Sequence, residues 1–222
     1  MAAPTVTTIR TAMTDPLITL AQWMSPSFPV GAFAYSHGLE QAIADGSVAT
    51  ARDLQLWLAD VIQVGAGRSD ISFLAAAYHG QDLPAIDRAA RAFAASAERL
   101  QETDLQGAAF CDTVNPVWGL SLPRLTYPVA VGAAAAACAL PLEATARLYL
   151  HAMIANLTSA AIRLVPLGQT EGQHVLTALA PLIEKTTTTA QSVPLPEITA
   201  CAFATDVAAM RHEVLQPRIF RT

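Results

Sequence analysis

The chain has 222 residues, which is enough for one domain with a sizeable core, alone or with a short arm. Hydrophobic residues make up 53% of it and charged residues only 14%, whereas an average globular chain has about 25% charged residues. This low charge indicates either a very large core or apolar surface that a partner covers. The net charge of -5 argues against nucleic-acid binding, which needs clustered lysine and arginine.

Cysteine spacing and hydropathy give further limits. Cys111, Cys138 and Cys201 are far apart and form no CxxC motif, which is typical of buried, reduced thiols in a cytoplasmic protein. Residues 1–14 are polar and lack a signal-peptide core, and we expect a flexible segment there. The most apolar stretch, residues 129–140, is too short for a bilayer, which needs about 20 residues. We therefore expect a soluble cytoplasmic protein without membrane contact.

Helix start and stop signals begin near residue 15. Asp15 followed by Pro16 predicts a helix N-terminus, and Pro26 must follow the end of that helix. Its predicted apolar face consists of Leu17, Leu20, Ala21 and Met24. A second helix is predicted over 35–46.

The next two helices are predicted from a cap and from apolar periodicity. Thr50 and Asp53 resemble a capping box that opens a helix ending at Val64. The apolar stripe of this helix is Leu54, Trp57, Leu58, Val61 and Ile62, and the stripe of the following helix is Ile71, Leu74, Ala75 and Tyr78. Residues 84–113 are Ala-rich with regularly spaced charges, which predicts one or two helices with a solvated face.

Prolines mark most of the remaining elements. Pro128 and Pro141 each begin a helix, and the second of these is predicted to run to Pro166. Gln169 or Thr170 opens another helix, which we expect to bend or end near Pro181.

The last stretch completes an all-helical prediction. A Thr-rich link at 186–189 leads to a final helix over 196–212, and no alternating strand pattern occurs in the sequence. The fold class is therefore all-α, a single-domain bundle of roughly nine to eleven helices. We predict that this domain spans 15–212 and that 213–222 forms a C-terminal tail.

The densest motif is SPSFPVGAFAYSHGLE at 25–40, in which prolines and a glycine stiffen the backbone around three aromatic side chains. It is either an ordered connector between helices with an aromatic plug, or a rigid surface that presents Ser36, His37 and Glu40. Ser36 lacks the Gly-x-Ser-x-Gly turn of serine hydrolases, so a nucleophilic role is not supported.

Two histidine–carboxylate pairs leave an enzymatic alternative open. His37 lies three residues before Glu40, and Glu171 lies three residues before His174, so each pair can share a helix face. A helical metal-dependent oxidase with a di-iron-like site needs two such pairs and two more glutamates. No HExxH motif and no nucleotide-binding P-loop is present in the sequence.

Two further predictions concern arginines, one at Arg163 and one in the C-terminal tail. Arg163 lies among apolar residues before a Pro–Gly turn, and a buried arginine needs a carboxylate, so we predict a pair with Glu40 or Glu102. The tail holds three arginines in an acidic chain, and Pro217 prevents the last helix from continuing into it. It is either a frayed terminus or a segment that becomes ordered on binding, with Ile219 and Phe220 as apolar anchors.

Several segments together resemble the urease accessory protein UreF family over residues 17–222. They are the 25–40 motif, Glu102-Thr103, Gln106-Gly107, Tyr127-Pro128-Val129 with Gly132, the stretch from Arg163 to Gln169, Arg211-His212-Glu213 and Arg218-Ile219-Phe220-Arg221. This resemblance implies an all-helical cytosolic homodimer that binds UreD (also called UreH) and the GTPase UreG. That assembly delivers nickel to apo-urease, and the UreF member bridges the partners and modulates the GTPase cycle without being a catalyst.

The resemblance also implies site residues. Glu40 and Arg163 would belong to a polar internal path for nickel, whose contact with the chain would be transient, and no tightly bound cofactor is expected. Tyr35 and the tail residues would fix the segment that meets partners. The full predicted set for partner binding or the polar path is Pro29, Gly31, Tyr35, Ser36, His37, Gly38, Glu40, Glu102, Gln106, Arg163, Gly168, Gln169, Arg211, His212, Glu213, Arg218, Phe220 and Arg221.

Overall fold

The computed structural model describes residues 15–80 and 82–222, and over this part of the chain it contains ten α-helices, two short 3₁₀ turns and no strand. The helices are α1 (Pro16–Trp23), α2 (Leu39–Ala44), α3 (Ala51–Gln63), α4 (Ala66–Tyr78), α5 (Leu83–Ala92), α6 (Ala97–Trp118), α7 (Tyr127–Ala137), α8 (Leu142–Leu164), α9 (Gln169–Ala190) and α10 (Phe203–His212). The all-α prediction is confirmed. The flexible segment predicted for 1–14 lies outside the described residues.

Caps and prolines set the helix starts where the sequence predicted them. The Asp15 carboxylate accepts the amide of Leu17 at 2.9 Å, directly before Pro16. Thr50 and Asp53 form a reciprocal capping box at the start of α3, so two amides that lack a helical partner are satisfied.

The predicted apolar face of α1 is wrong in part. Leu17 and Ala21 are exposed, and the buried side chains are Leu20, Trp23 and Thr19. The reason is aromatic packing at the end of α1, where Trp23 meets Phe110 edge-to-face at a ring-centroid distance of 5.2 Å.

Two boundary predictions are also wrong. Helix α9 continues through Pro181 to Ala190, so the Thr-rich residues 186–189 form its last turn instead of a link. Their hydroxyl groups bond back to carbonyls one turn earlier; Thr188, for example, donates to Glu184 O at 2.9 Å. The last helix starts at Phe203 instead of 196, because a 3₁₀ turn and an extended stretch occupy 195–202.

A single hydrophobic cluster fills the interior, and α7 is buried along most of its length. Helices α4 and α7 approach closely at Gly132, where an added Cβ would lie 2.1 Å from Leu74 O. Cys111 is buried as predicted, whereas Cys201 is exposed, and all three thiols are free. Within 15–80 and 82–222, the helices are too short or too polar for any of them to cross a membrane.

A candidate partner-binding tail and a polar cavity

The 25–40 motif connects α1 to α2, as the connector alternative predicted, and it has both buried and exposed aromatic side chains. Phe28 and Tyr35 are buried, which is the aromatic plug, whereas Phe33 is 67% exposed. Gly38 has a φ of 78°, and an added Cβ there would lie 2.5 Å from the backbone nitrogen of Ala209. Only glycine therefore lets α10 pack against the motif. This turn also delays the start of α2, which was predicted near Tyr35, to Leu39.

The tail, residues 213–222, docks against this motif. The Ser36 amide donates to the main-chain oxygen of Thr222 at 2.9 Å, and the Ser36 hydroxyl donates to the same oxygen. The Arg221 amide donates to Ala34 O at 2.8 Å. Phe220 and Thr222 are buried, so the frayed alternative is wrong for this structure and the tail is ordered within a single chain.

Glu40 receives the tail backbone. Its two carboxylate oxygens accept the amides of Ile219 at 2.7 Å and Phe220 at 2.9 Å. One of them also faces His212 Nε2 at 3.1 Å, while His212 Nδ1 lies 2.8 Å from Glu98. Arg218 donates to the other oxygen of Glu98. Four side chains from α2, α6, α10 and the tail thus form one cluster, which we call the tail cluster: Glu40, Glu98, His212 and Arg218.

Glu102 forms a second buried cluster beside the first. Its carboxylate accepts from Arg99, from Gln106 at 2.9 Å and from the Thr222 hydroxyl at 2.8 Å, and it lies 2.7 Å from His37 Nε2. Burial alone would raise the pKa of Glu102, but the Arg99 guanidinium and the His37 ring outweigh it and lower that pKa to about 2.

His37 differs from Glu102 in that its surroundings favour the neutral form. Burial lowers the pKa of its ring, and Arg99 lowers it further, so the ring is neutral at pH 7. Its Nε2–H therefore donates to Glu102, and the lone pair on Nδ1 has no hydrogen-bond partner within residues 15–80 and 82–222.

The predicted pair between Arg163 and Glu40 or Glu102 is wrong. Arg163 is exposed, and its guanidinium donates to the carbonyl oxygens of Ser159 and Phe33, both at 3.2 Å. It also lies over the Phe220 ring, 4.6 Å from the ring centroid. Stacking on an aromatic face satisfies a cation without burying it, so a carboxylate is unnecessary.

The other predicted residues lie at the surface around these clusters. Arg211 lies 3.6 Å from Asp45, and Glu213 accepts the Ala97 amide at 2.8 Å. Gly168 and Gln169 form the start of α9, where Glu171 accepts the Gly168 amide at 2.8 Å. Pro29 and Gly31 shape the exposed side of the 25–40 turn; Gly31 has a φ of 72°.

A cavity of about 350 Å³, with more apolar than polar surface in its lining, lies beside the Glu102 cluster. Its polar lining residues are Ser25, His37, Asp70, Arg99, Glu102, Thr103, Gln106, Tyr127, Tyr149, His151, Asn156 and Ser159. A smaller cavity of about 70 Å³ reaches toward Phe93 and Asp206, and the two share His37, Asp70, Arg99 and Thr103. Glu40 and Arg163 line neither cavity.

Sequence reasoning missed Asp70, Arg99 and Tyr149. The Tyr149 hydroxyl donates to Asp70 at 2.7 Å, and burial raises the pKa of Asp70 to about 6 although Tyr149 and Arg99 oppose the shift. An acidic residue directly before the apolar stripe that begins at Ile71 was the available signal for Asp70, and the i,i+3 spacing to Glu102 was the signal for Arg99.

The two histidine–carboxylate pairs of the oxidase alternative do not come together in the structure. His37 and Glu40 are buried in two different clusters, whereas Glu171 and His174 are exposed on α9. Among the described residues, no group of three or more His, Cys, Asp or Glu side chains is arranged to hold a metal ion.

Comparison with known proteins identifies the family of this chain. A family model described as UreF matches residues 48–180. The chain is 52% identical to the urease accessory protein UreF of Roseobacter denitrificans over 221 residues, which is 98% of this chain and all of that protein. It is 52% identical to the UreF of Cereibacter sphaeroides strain ATCC 17025 over 95% of this chain and all of that protein, and 44% identical to that of Jannaschia sp. strain CCS1 over 94% and 96%. The chain belongs to the UreF family of urease accessory proteins.

Proposed function

We propose that this chain is a non-catalytic factor in urease maturation that acts in the cytoplasm as a homodimer. In this proposal it bridges UreD (UreH) and the GTPase UreG, modulates the GTP hydrolysis cycle, and so supports nickel insertion into apo-urease. The family membership supports the link to urease. The partners and the dimer are what the resemblance implies.

The tail provides the observation that carries the partner-binding proposal. It is held from inside by Phe220 and Thr222, while Val214 and Ile219 are 82% and 74% exposed. Arg218 lies between them and is itself partly exposed. Arginine is enriched in binding hot spots, and the exposed apolar side chains beside it provide surface that a partner can cover. A docked tail also avoids the ordering cost that a frayed tail would pay on binding.

The cavities support a second part of the proposal, a polar path for nickel. The two cavities have four lining residues in common, among them His37 with its lone-pair Nδ1 and the carboxylate of Asp70. Imidazole and carboxylate are suitable ligands for Ni²⁺. Because two ligands hold an ion weakly, passage is better served than storage, and we propose transient contact only.

A pull-down with surface variants tests the partner role. Val214→Asp with Ile219→Asp places charge on the exposed tail side chains, and we expect at least a tenfold loss of UreD or UreG capture. Val117→Asp is the matched control, since Val117 is also 60% exposed but lies on α6. Unchanged capture by the tail variant, or equal loss in the control, would contradict the proposal.

A further inference from the structure

The tail cluster contains an imidazole between two carboxylates. His212 is fully buried, with Nδ1 2.8 Å from Glu98 Oε2 and Nε2 3.1 Å from Glu40 Oε2. An ionised carboxylate can only accept a hydrogen bond. A neutral imidazole has a single N–H and would satisfy only one of these contacts. With both carboxylates ionised, the two contacts are both hydrogen bonds only when both ring nitrogens carry a proton.

Charge balance supports the same conclusion. Glu40 and Glu98 carry two negative charges, and Arg218 neutralises one of them. With a neutral His212 the buried cluster would keep an unbalanced negative charge, which is costly away from water.

The surrounding charged groups have other partners. Arg211 on α10 lies 3.6 Å from Asp45, which follows α2. Glu213, the first residue of the tail, accepts the Ala97 amide at the start of α6. Asp206, also on α10, has a raised pKa because of burial. Helix α3 also packs against α10, and no hydrogen bond or ion pair from the described residues of α3 reaches His212.

The cluster also controls the tail. Glu40 holds the Ile219 and Phe220 amides, and Glu98 holds the Arg218 side chain. If His212 loses its proton, a ring lone pair faces a carboxylate oxygen, and both carboxylates lose part of their support.

We propose that His212 is a proton-dependent latch: its imidazolium form holds the two carboxylates that dock residues 218–220, and loss of its proton weakens the docking of these residues. Wherever the docked tail has the imidazolium form and the released tail has the neutral ring, docking takes up one proton. Docking should weaken as pH rises, by up to about tenfold per pH unit.

The consequence for partners rests on the proposed function, since a released tail would no longer present Val214 and Ile219 on a fixed backbone. The latch itself does not depend on partners. Its test uses the isolated full-length chain, so its failure and the failure of the partner proposal can be told apart.

Nitrogen-15 NMR of the histidine ring gives the direct test. We expect both His212 nitrogens to show the shifts of protonated imidazolium at pH 7. The Phe220 ring carbons, labelled with carbon-13, should show the docked signal at pH 6 and move toward the exposed signal by pH 9. One unprotonated His212 nitrogen at pH 7, or an unchanged Phe220 signal across this range, would overturn the latch.

Two variants separate His212 from general alkaline effects. His212→Gln removes the charge, and we expect its Phe220 signal to show reduced docking that no longer depends on pH between 6 and 9. His174→Gln, on the exposed face of α9, should keep the wild-type profile. If His212→Gln keeps the wild-type pH profile, the latch lies elsewhere; if that variant fails to fold, the nitrogen-15 measurement on the wild type still decides.

Discussion

At the scale of single residues, Glu102 and Asp70 are two carboxylates that line one cavity, and their pKa values are shifted in opposite directions. Arg99 and His37 keep Glu102 ionised in spite of its burial, whereas Asp70 has the Tyr149 hydroxyl as its hydrogen-bond partner and a pKa raised to about 6. The first group therefore stabilises the fold as an anion, whereas ionisation of the second costs folding free energy.

Glu102→Gln tests the first group. The substitution leaves Arg99 without its anion in a site where the Arg99 side chain is only 12% exposed, and we expect a loss of about 3 kcal/mol in the free energy of unfolding at pH 7. Because the folded pKa is lowered from 4.5 to about 2, this difference from wild type should be full above pH 4.5 and fade as pH falls toward 2. Urea titrations at several pH values measure it. Glu184→Gln, at an exposed carboxylate, should change stability by less than about 0.5 kcal/mol; an equal effect of both variants would contradict the assignment.

Asp70→Asn tests the second group and has the opposite sign. A folded pKa raised from 3.8 to about 6 means that ionised Asp70 costs stability, and this cost appears as pH rises through that interval. We expect the variant to match wild type near pH 3.5 and to be about 2–3 kcal/mol more stable at pH 7. The comparison uses denaturant unfolding of both proteins at each pH, so that other carboxylates cancel. A variant less stable than wild type at pH 7 would refute the prediction.

The sequence identified many of the residues at this site but not their pairing. Glu40 and Glu102 were predicted as carboxylates that a buried arginine needs, and Gln106 and His212 were predicted from the resemblance to the family. The partner of Glu102 proved to be Arg99, one turn earlier on the same helix, instead of Arg163. The Arg99 pair has an i,i+3 signal within α6, whereas the contacts of Glu102 with His37 and Thr222 depend on which segments meet in the fold, and periodicity within a helix does not encode that.

At the scale of elements, boundaries were predictable where a cap or proline sets them. The starts of α1, α3, α7 and α8 agree with the sequence prediction to within one residue. The start of α2 and the end of α9 were not predictable in the same way. Gly38 adopts a left-handed conformation because α10 packs against it, and α9 tolerates Pro181 through its tertiary packing. Both are consequences of tertiary structure.

Close packing of α4 on α7 gives a prediction at this scale. Gly132→Ala would place a methyl group 2.1 Å from Leu74 O, so the two helices must separate, and we expect a loss of about 3 kcal/mol or more. Gly168→Ala is the matched control, since its added methyl group meets only the flexible Glu171 carboxylate at 3.5 Å. That variant should change stability by less than about 1 kcal/mol, since the loss of a favourable N-cap residue and the reduced freedom of the unfolded chain oppose each other. Thermal unfolding of both proteins measures the difference, and similar melting temperatures would disprove the close approach.

At the scale of the whole molecule, the low charge of the chain goes together with a large core and with exposed apolar side chains. Helix α7 and its neighbours form a large Ala-rich core, which accounts for much of the apolar content. Several large apolar side chains are nevertheless exposed, and Val214 and Ile219 lie on the docked tail. The composition predicted apolar surface for a partner, but only the fold shows that a buried Phe220 supports it.

Reconstitution of urease activation is the most direct test of the central claim, which is that this chain serves urease maturation through binding and without catalysis. Purified apo-urease, Ni²⁺, GTP and the other accessory proteins are combined with and without the chain, and urea hydrolysis is then measured. We predict that activity requires the chain and that the Val214→Asp, Ile219→Asp variant fails to support it while Val117→Asp succeeds. Equal activation in the presence and absence of the chain would contradict the account.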